Sequence, residues 1–240
     1  MDYYVVLCHF GENVAFICYF TINLGLEEFV MYEKIIKRLF DIVLSLLGII
    51  VLAIPMLVIA LIIKIDSPGP VFFKQKRVGI HKKLFSIIKF RSMPVTVPKD
   101  TPTHQFKAED MLSKWQKFMR KASIDELPQF FCIFFGSMSI VGPRPALWNQ
   151  DDLIAERDKY GANDIKPGLT GWAQIHGRDE IEIPLKAKYD GEYASKLKQG
   201  GFKALWFDVS CFFGSIIAVL KSDGVREGGT GEMHRLEEQK

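Results

Sequence analysis

Asp125 and Glu126 stand side by side in Ser123-Ile124-Asp125-Glu126-Leu127-Pro128-Gln129, between a basic segment ending at Arg120-Lys121 and the aromatic run from Phe130 to Phe135. Adjacent carboxylates beside cations suit work on a phosphorylated substrate. The plain alternative is structural. Ser-x-x-Glu is a capping box, with which Ser123 and Glu126 would start a helix. Pro128 fits best within the first helical turn, where no amide is required, and that places the N-cap nearer Asp125. An acidic pair at a helix start also complements the macrodipole. Taken alone, the heptapeptide favours the structural reading; the rest of the chain reverses it.

Cations and turns that could serve those carboxylates follow in order. From Lys74 to Arg91 the chain carries seven basic residues (Lys74, Lys76, Arg77, Lys82, Lys83, Lys89, Arg91) and no acid. A solvated charged face is the bland reading; anionic headgroups and a phosphorylated substrate are the sharper one. Nucleic acid is disfavoured, because few aromatic platforms interleave with the charges and the formal net charge is only +3. In Gly142-Pro143-Arg144-Pro145 two prolines stiffen the backbone around an arginine, so its guanidinium is presented with little entropy to lose. Lys166-Pro167-Gly168-Leu169-Thr170-Gly171-Trp172 is a further turn, leading to Gln174 and Gly177-Arg178. The four cysteines (Cys8, Cys18, Cys132, Cys211) form no C-x-x-C pair and sit among apolar residues, as buried free thiols do. The five histidines lack metal-ligand spacing, which argues against zinc.

The elements that must hold these residues begin at Met31. Residues 1–30 are apolar, but Glu12 and Asn13 interrupt them, and neither run is long enough to cross a bilayer. One reading starts the working protein at Met31. Lys34, Lys37 and Arg38 then precede an uncharged run from Ile42 to Ile63, which Lys64 and Asp66 close. The run is long enough for one span. Pro55 in its middle removes a helical hydrogen bond, and basic residues flank both ends. A re-entrant helix bent at Pro55 fits both facts better than a span with a tolerated proline. Asp66-Ser67-Pro68-Gly69-Pro70 is a turn at the membrane–cytosol boundary. Val71-Phe72-Phe73 and Leu84 to Phe90 read as short strands around a turn at Gly79-Ile80-His81. Pro94 to Pro102 is a loop, and Ala108 to Lys121 is helical, with Met111, Leu112, Trp115, Phe118 and Met119 on one face. Phe202 to Leu220 reads as an amphipathic helix on the membrane surface, and residues 222–240 as a polar tail. The division is therefore an extension (1–30), a membrane helix (31–66), a cytosolic domain (67–221) and a tail. The fold class is α+β, mainly helical: a re-entrant membrane helix hairpin, a small β-hairpin and a cytosolic helical catalytic domain with interfacial amphipathic helices.

From Met31-Tyr32-Glu33-Lys34 to about Gly231 the chain resembles the bacterial sugar transferases that act as small monotopic phosphoglycosyl transferases, such as the enzyme that initiates bacterial N-glycan assembly. The resemblance rests on six motifs in the family's order. They are Lys37-Arg38-Leu39-Phe40-Asp41, Ser67-Pro68-Gly69-Pro70-Val71-Phe72-Phe73-Lys74-Gln75, Lys89-Phe90-Arg91-Ser92-Met93, Asp125-Glu126-Leu127-Pro128-Gln129, Val141-Gly142-Pro143-Arg144-Pro145, and Lys166-Pro167-Gly168-Leu169-Thr170-Gly171-Trp172-Ala173-Gln174. Two positions depart from the family. Ile54-Pro55 stands where a Ser-Pro bend is usual, and Ser137 stands where an aspartate is usual in Gly136-Ser137-Met138-Ser139.

The resemblance implies a polyprenyl-phosphate sugar-1-phosphate transferase on the cytoplasmic face of the bacterial inner membrane. Asp125 would attack the sugar-linked phosphorus of a UDP-sugar and release UMP, and undecaprenyl phosphate would then take the sugar phosphate from the aspartyl intermediate. Mg²⁺ is implied as cofactor, with Glu126 as its ligand. Lys89, Arg91, Arg120 and Arg144 are implied as phosphate-binding cations, and Gln174 and Arg178 as nucleotide contacts. A homodimer is compatible with this reading. Two other classes stay open: a non-catalytic membrane scaffold, and a membrane-associated hydrolase that uses the same aspartate with water as acceptor.

Overall fold

The computed structural model describes residues 31–95, 112–177 and 181–221. The extension before Met31, most of the expected 94–102 loop, Met111, Arg178 and the polar tail lie outside the described residues.

One long helix dominates. A π-helical turn at Tyr32–Ile36 leads directly into α1 (Lys37–Asp66), with Pro55 in its interior. Its 30 residues make about 45 Å of helix. α1 is apolar on nearly every side, and Leu47, Ile50, Val51, Ile54, Leu57 and Leu61 are exposed along it. So large an apolar surface has no partner in water, and it is a lipid-contacting surface. α1 is anchored in protein through its first three turns, where Asp41 and Ser45 are buried and Gly48 packs on Phe130, and again from Met56 to Ile63. Tyr32 and Ile36 join the main core around Ile133, Met138, Val141, Tyr193 and Cys211. Ile59 and Ile63 pack with Phe90 and Met119, flanked by Ile124 and Leu127.

Polar staples fix the first end. Asp208 accepts from Tyr32 Oη (2.7 Å), Lys37 Nζ (2.7 Å) and Tyr193 Oη (2.6 Å). Asp41 accepts from Ser139 Oγ at 3.0 Å and from the amide of Ile140 at 2.9 Å. Arg38 donates to the carbonyls of Ile133 and Phe134, 2.7 Å each. The motif Lys37-Arg38-Leu39-Phe40-Asp41 is therefore the joint between the apolar helix and the rest of the fold.

The expected turn follows at Ser67 to Pro70, and then β1 (Phe72–Val78) pairs antiparallel with β2 (Leu84–Phe90) in the register Phe72↔Phe90 to Val78↔Leu84. This is the hairpin read from sequence, with β1 extending to Val78. α2 (Lys114–Lys121) starts later than the pattern indicated, because Ser113 and Gln116 form a capping box there. A 3₁₀ turn at Ile124–Glu126 runs into α3 (Gln129–Phe134). β3 (Ser139–Val141) pairs in parallel with β4 (Gly168–Thr170). Between them lies α4 (Asp151–Asp158), and beyond them α5 (Trp172–Ile175), α6 (Ile183–Lys198) and α7 (Gly201–Lys221). Among the described residues the fold is mainly helical α+β with two two-stranded sheets.

α7 carries apolar residues on both faces, with Leu205, Phe207 and Phe212 packed against the core. Ala204, Asp208 and Cys211 face inward, while Phe202, Trp206, Phe213, Ile216 and Ile217 are exposed. By length and composition both the Tyr32–Asp66 segment and the Gly201–Ala218 segment could cross a membrane. Cys132 and Cys211 are buried free thiols, as expected; the other two cysteines lie outside the described residues.

Candidate active site

α2 ends as Ala122 and Ser123 donate their amides to Phe118 and Arg120. Ser123 then takes a left-handed conformation, φ 55° and ψ 22°. A non-glycine residue pays about 1–2 kcal/mol for that geometry. It turns the chain sharply enough to aim Asp125 inward while Ile124 and Leu127 pack against the cluster of Ile59, Ile63, Phe90 and Met119. The capping-box expectation for Ser123 and Glu126 is overturned: the Ser123 side chain caps nothing, and Glu126 is engaged elsewhere. Nor is the N-cap near Asp125. The helical turn begins at Ile124, and Pro128 sits at the N-cap of α3.

The two carboxylates occupy opposite electrostatic environments. Glu126 Oε1 accepts from Lys89 Nζ at 2.6 Å, and Arg144 binds both carboxylate oxygens, with Nη1 at 3.2 Å from Oε2 and Nη2 on Oε1. Burial alone would raise its pKa, but Arg144 and Lys89 override that and hold it well below the usual carboxylate range. Asp125 is only 8% exposed. Its one hydrogen bond recorded among the described residues is a long one from Ser92 Oγ, 3.4 Å from Oδ2. Burial, with the adjacent Glu126 charge adding to it, pushes Asp125 up to about 6 against the pull of Lys89, Arg120 and Arg144. Near neutral pH the dyad thus offers one fixed anion gripped by cations and one lightly solvated carboxylate, the state of a good nucleophile.

The residues singled out in the sequence separate into groups. Lys89, Arg144, Asp125 and Glu126 come together. Arg120, in the last turn of α2, lies close enough to favour ionised Asp125. Arg91 instead donates to the carbonyls of Pro68 (2.6 Å) and Ser67 (2.7 Å), so its guanidinium pins the turn that leaves α1. Gln174 is 8% exposed, and neither polar atom of its amide has a partner among the described residues. It lies beside Gly171, which packs against the Gly142 carbonyl. Arg178 lies outside the described residues. Ser92 was not singled out, although it sits inside the Lys89-Phe90-Arg91-Ser92-Met93 motif that could have flagged it. Ser137 donates to the carbonyl of Cys132 at 3.0 Å, just past the C-terminal end of α3.

Close backbone contact joins the last two motifs. A Cβ on Gly142, Gly168 or Gly171 would collide with main-chain atoms of the others or of Lys166. Glycine at all three lets the two segments touch, with Gly142 donating to Thr170 and Gly168 to Pro143. That contact carries Arg144 over to Glu126. Among the described residues, no group of three or more His, Cys, Asp or Glu converges as a metal cage. Two adjacent carboxylates do match a hard cation that takes one or two protein carboxylates and completes its shell with phosphate oxygens and water.

The sequence matches the bacterial sugar transferase family over residues 32–222. The chain belongs to the bacterial sugar transferase family. It is 35% identical over 194 residues to the UDP-glucose:undecaprenyl-phosphate glucose-1-phosphate transferase of Escherichia coli (strain K12), covering 75% of this chain and 39% of that protein. Over 193 residues it is 34% identical to the uncharacterized sugar transferase EpsL of Bacillus subtilis (strain 168), covering 80% of this chain and 91% of that one. It is also 35% identical over 199 residues to the UDP-N-acetylgalactosamine-undecaprenyl-phosphate N-acetylgalactosaminephosphotransferase of Aeromonas hydrophila, covering 80% of this chain and 45% of that protein. The chain thus spans less than half the length of two of these sugar transferases and nearly all of the third.

Proposed function

We propose that this protein transfers a sugar-1-phosphate from a UDP-sugar to undecaprenyl phosphate at the cytoplasmic face of the bacterial inner membrane, beginning the assembly of a polysaccharide or other glycoconjugate. The observation that carries the reading is the paired environment of Asp125 and Glu126, on a turn whose Ile124 and Leu127 pack in the same apolar cluster as Ile59 and Ile63 of α1.

In the first step an Asp125 carboxylate oxygen bonds to the sugar-linked phosphorus. The bond from that phosphorus to the bridging oxygen breaks, and UMP leaves with the electron pair. The resulting acyl phosphate keeps the transfer potential. In the second step a phosphate oxygen of the lipid bonds to the same phosphorus and Asp125 leaves as carboxylate. An anion attacking a diphosphate meets strong repulsion, so cations must stand ready. Arg144, whose side chain is 38% exposed, can reach substrate oxygens and bind them bidentately, while Glu126 holds it and Lys89 in place. Mg²⁺ would be held by Glu126 only in exchange for one of the cations that grip it here, and it would neutralise charge on the donor's phosphates. Ser92 steadies Asp125, and the unpartnered amide of Gln174 is available to the nucleotide. Arg178 remains a candidate for the nucleotide from the resemblance alone.

α1 supplies the location. We read it as re-entrant: both of its ends pack into the same protein body, and the exposed Pro55 lies between them, where it deprives the Val51 carbonyl of its helical donor. The lipid phosphate then lies at the depth of the dyad, which lowers the entropic cost of meeting a cytosolic nucleotide. The donor sugar is open. By name, relatives of equal identity use glucose and N-acetylgalactosamine, so both UDP-hexoses and UDP-N-acetylhexosamines belong in the panel. The test is UMP release by nanodisc-held protein with Mg²⁺, that panel and undecaprenyl phosphate. Lipid-dependent release supports the transferase. Release that continues without lipid supports a hydrolase, and binding without release supports a scaffold.

A further inference from the structure

We infer that the buried pair Arg157–Asp190 is a positioning device for Arg144, acting through the backbone rather than on substrate. The inference rests on the phosphate-binding role given above to Arg144. Pro143 and Pro145 have no amide hydrogen, so the Pro-Arg-Pro segment cannot secure itself with its own donors, and its carbonyls must be met from outside. Four successive carbonyls are. Gly168 donates its amide to Pro143 at 2.9 Å, Arg157 Nη2 donates to Arg144 at 2.9 Å, Arg77 Nη1 donates to Pro145 at 3.0 Å, and the Val78 amide donates to Ala146 at 2.9 Å. The donor to Arg144 itself is a side chain from α4, and its own orientation is set by Asp190 of α6. Asp190 Oδ2 accepts from Arg157 Nε at 2.8 Å and Nη2 at 2.6 Å.

The economy of this pair points away from plain stabilisation. Both side chains are almost fully buried, 4% and 1% exposed. Two desolvated charges are often no more stable than well-packed apolar residues of similar volume. Asp190 Oδ1 has no hydrogen-bond partner among the described residues, which makes the burial costlier still. What apolar residues could not supply is the directed hydrogen bond to the Arg144 carbonyl. That bond holds the backbone from which the guanidinium reaches Glu126.

The test uses the full chain in nanodiscs with inorganic pyrophosphate as probe, which reads the cation site whether or not transfer occurs. Arg157→Gln is expected to weaken pyrophosphate binding about tenfold. In an Arg144→Ala background the same change is expected to have no further effect, because the lost contact is already gone. Arg157→Gln is prone to misfolding, so a second variant, Arg157→Met with Asp190→Leu, fills the space without charge. It is expected to keep the wild-type melting temperature and still bind weakly. Wild-type affinity in that double variant would overturn the inference, as would equal losses from Arg157→Gln with and without Arg144, or a wild-type protein that binds no pyrophosphate. If the wild type binds pyrophosphate with this coupling but releases no UMP from any donor, the transferase reading falls and the positioning role stands.

Discussion

At the scale of single residues, the dyad makes two pH predictions. Asp125 titrates in the fold near 6, above its value in an unfolded chain, so the folded state holds that proton more tightly. Its contribution to stability is present below about pH 4 and is lost as pH rises to about 6, amounting to about 3 kcal/mol if the full shift is realised. Glu126 has the opposite sign: its stabilisation is present above about pH 4.5 and is lost as pH falls through its lowered value. Melting curves at pH 8 should therefore show Asp125→Asn more stable than wild type and Glu126→Gln less stable. Equal shifts of one sign would refute the contrast. The pH dependence of kcat/KM should have an ascending limb near 6, and Lys89→Met should move that limb upward, because Lys89 favours ionised Asp125. The residue types of the site were legible in the sequence, because Asp125, Glu126, Lys89 and Arg144 lie in recognisable motifs. What was not legible was the division of labour. Nothing in Lys89-Phe90-Arg91-Ser92-Met93 says that Arg91 turns back onto Ser67 and Pro68 while Ser92 meets Asp125.

At the scale of elements, the joint between α1 and the body rests on Asp208 and Asp41. Asp208 accepts from three buried donors, one of them the ammonium of Lys37. Asp208→Asn should cost about 3–5 kcal/mol, since it leaves a buried cation without its counter-charge. Asp164→Asn, in an exposed contact with His81, should change stability by less than about 1 kcal/mol. Denaturant titration in detergent compares the two, and equal effects would contradict the role given to the joint. The β-hairpin was legible from alternation and turn residues, and α1 from its uncharged length. The capping box was misread because Ser-x-x-Glu and Ser-x-x-Gln occur ten residues apart. Local pattern cannot tell which serine tertiary contacts will pull into a left-handed conformation. In α7 the apolar length was readable from sequence but the inward place of Asp208 was not, because it looks like a surface residue until Tyr32, Lys37 and Tyr193 surround it.

At the scale of the whole molecule, the apolar sleeve of α1 and the outward aromatics of α7 are the surfaces suited to lipid contact. The re-entrant topology expects a tag before Met31 and a tag at the C-terminus on the same side of the membrane, both accessible from the cytoplasm. Opposite sides would mean a span. Pro55→Ala restores a helical donor at the bend and should send a fraction of the N-terminal tags across. The proposed re-entrant course is the least legible feature, since α1 runs as one helix through Pro55. Ile54 offers no hydroxyl to the freed carbonyl, and a proline inside an apolar run is equally at home in a kinked span.

The measurement that bears most directly on the central claim is intact-protein mass spectrometry after incubation with Mg²⁺ and the productive UDP-sugar in the absence of lipid. The account expects a covalent adduct with the mass of the sugar phosphate, absent in Asp125→Asn and discharged when undecaprenyl phosphate is added. An adduct that survives in Asp125→Asn, or lipid-dependent turnover with no adduct under any quench, would contradict it.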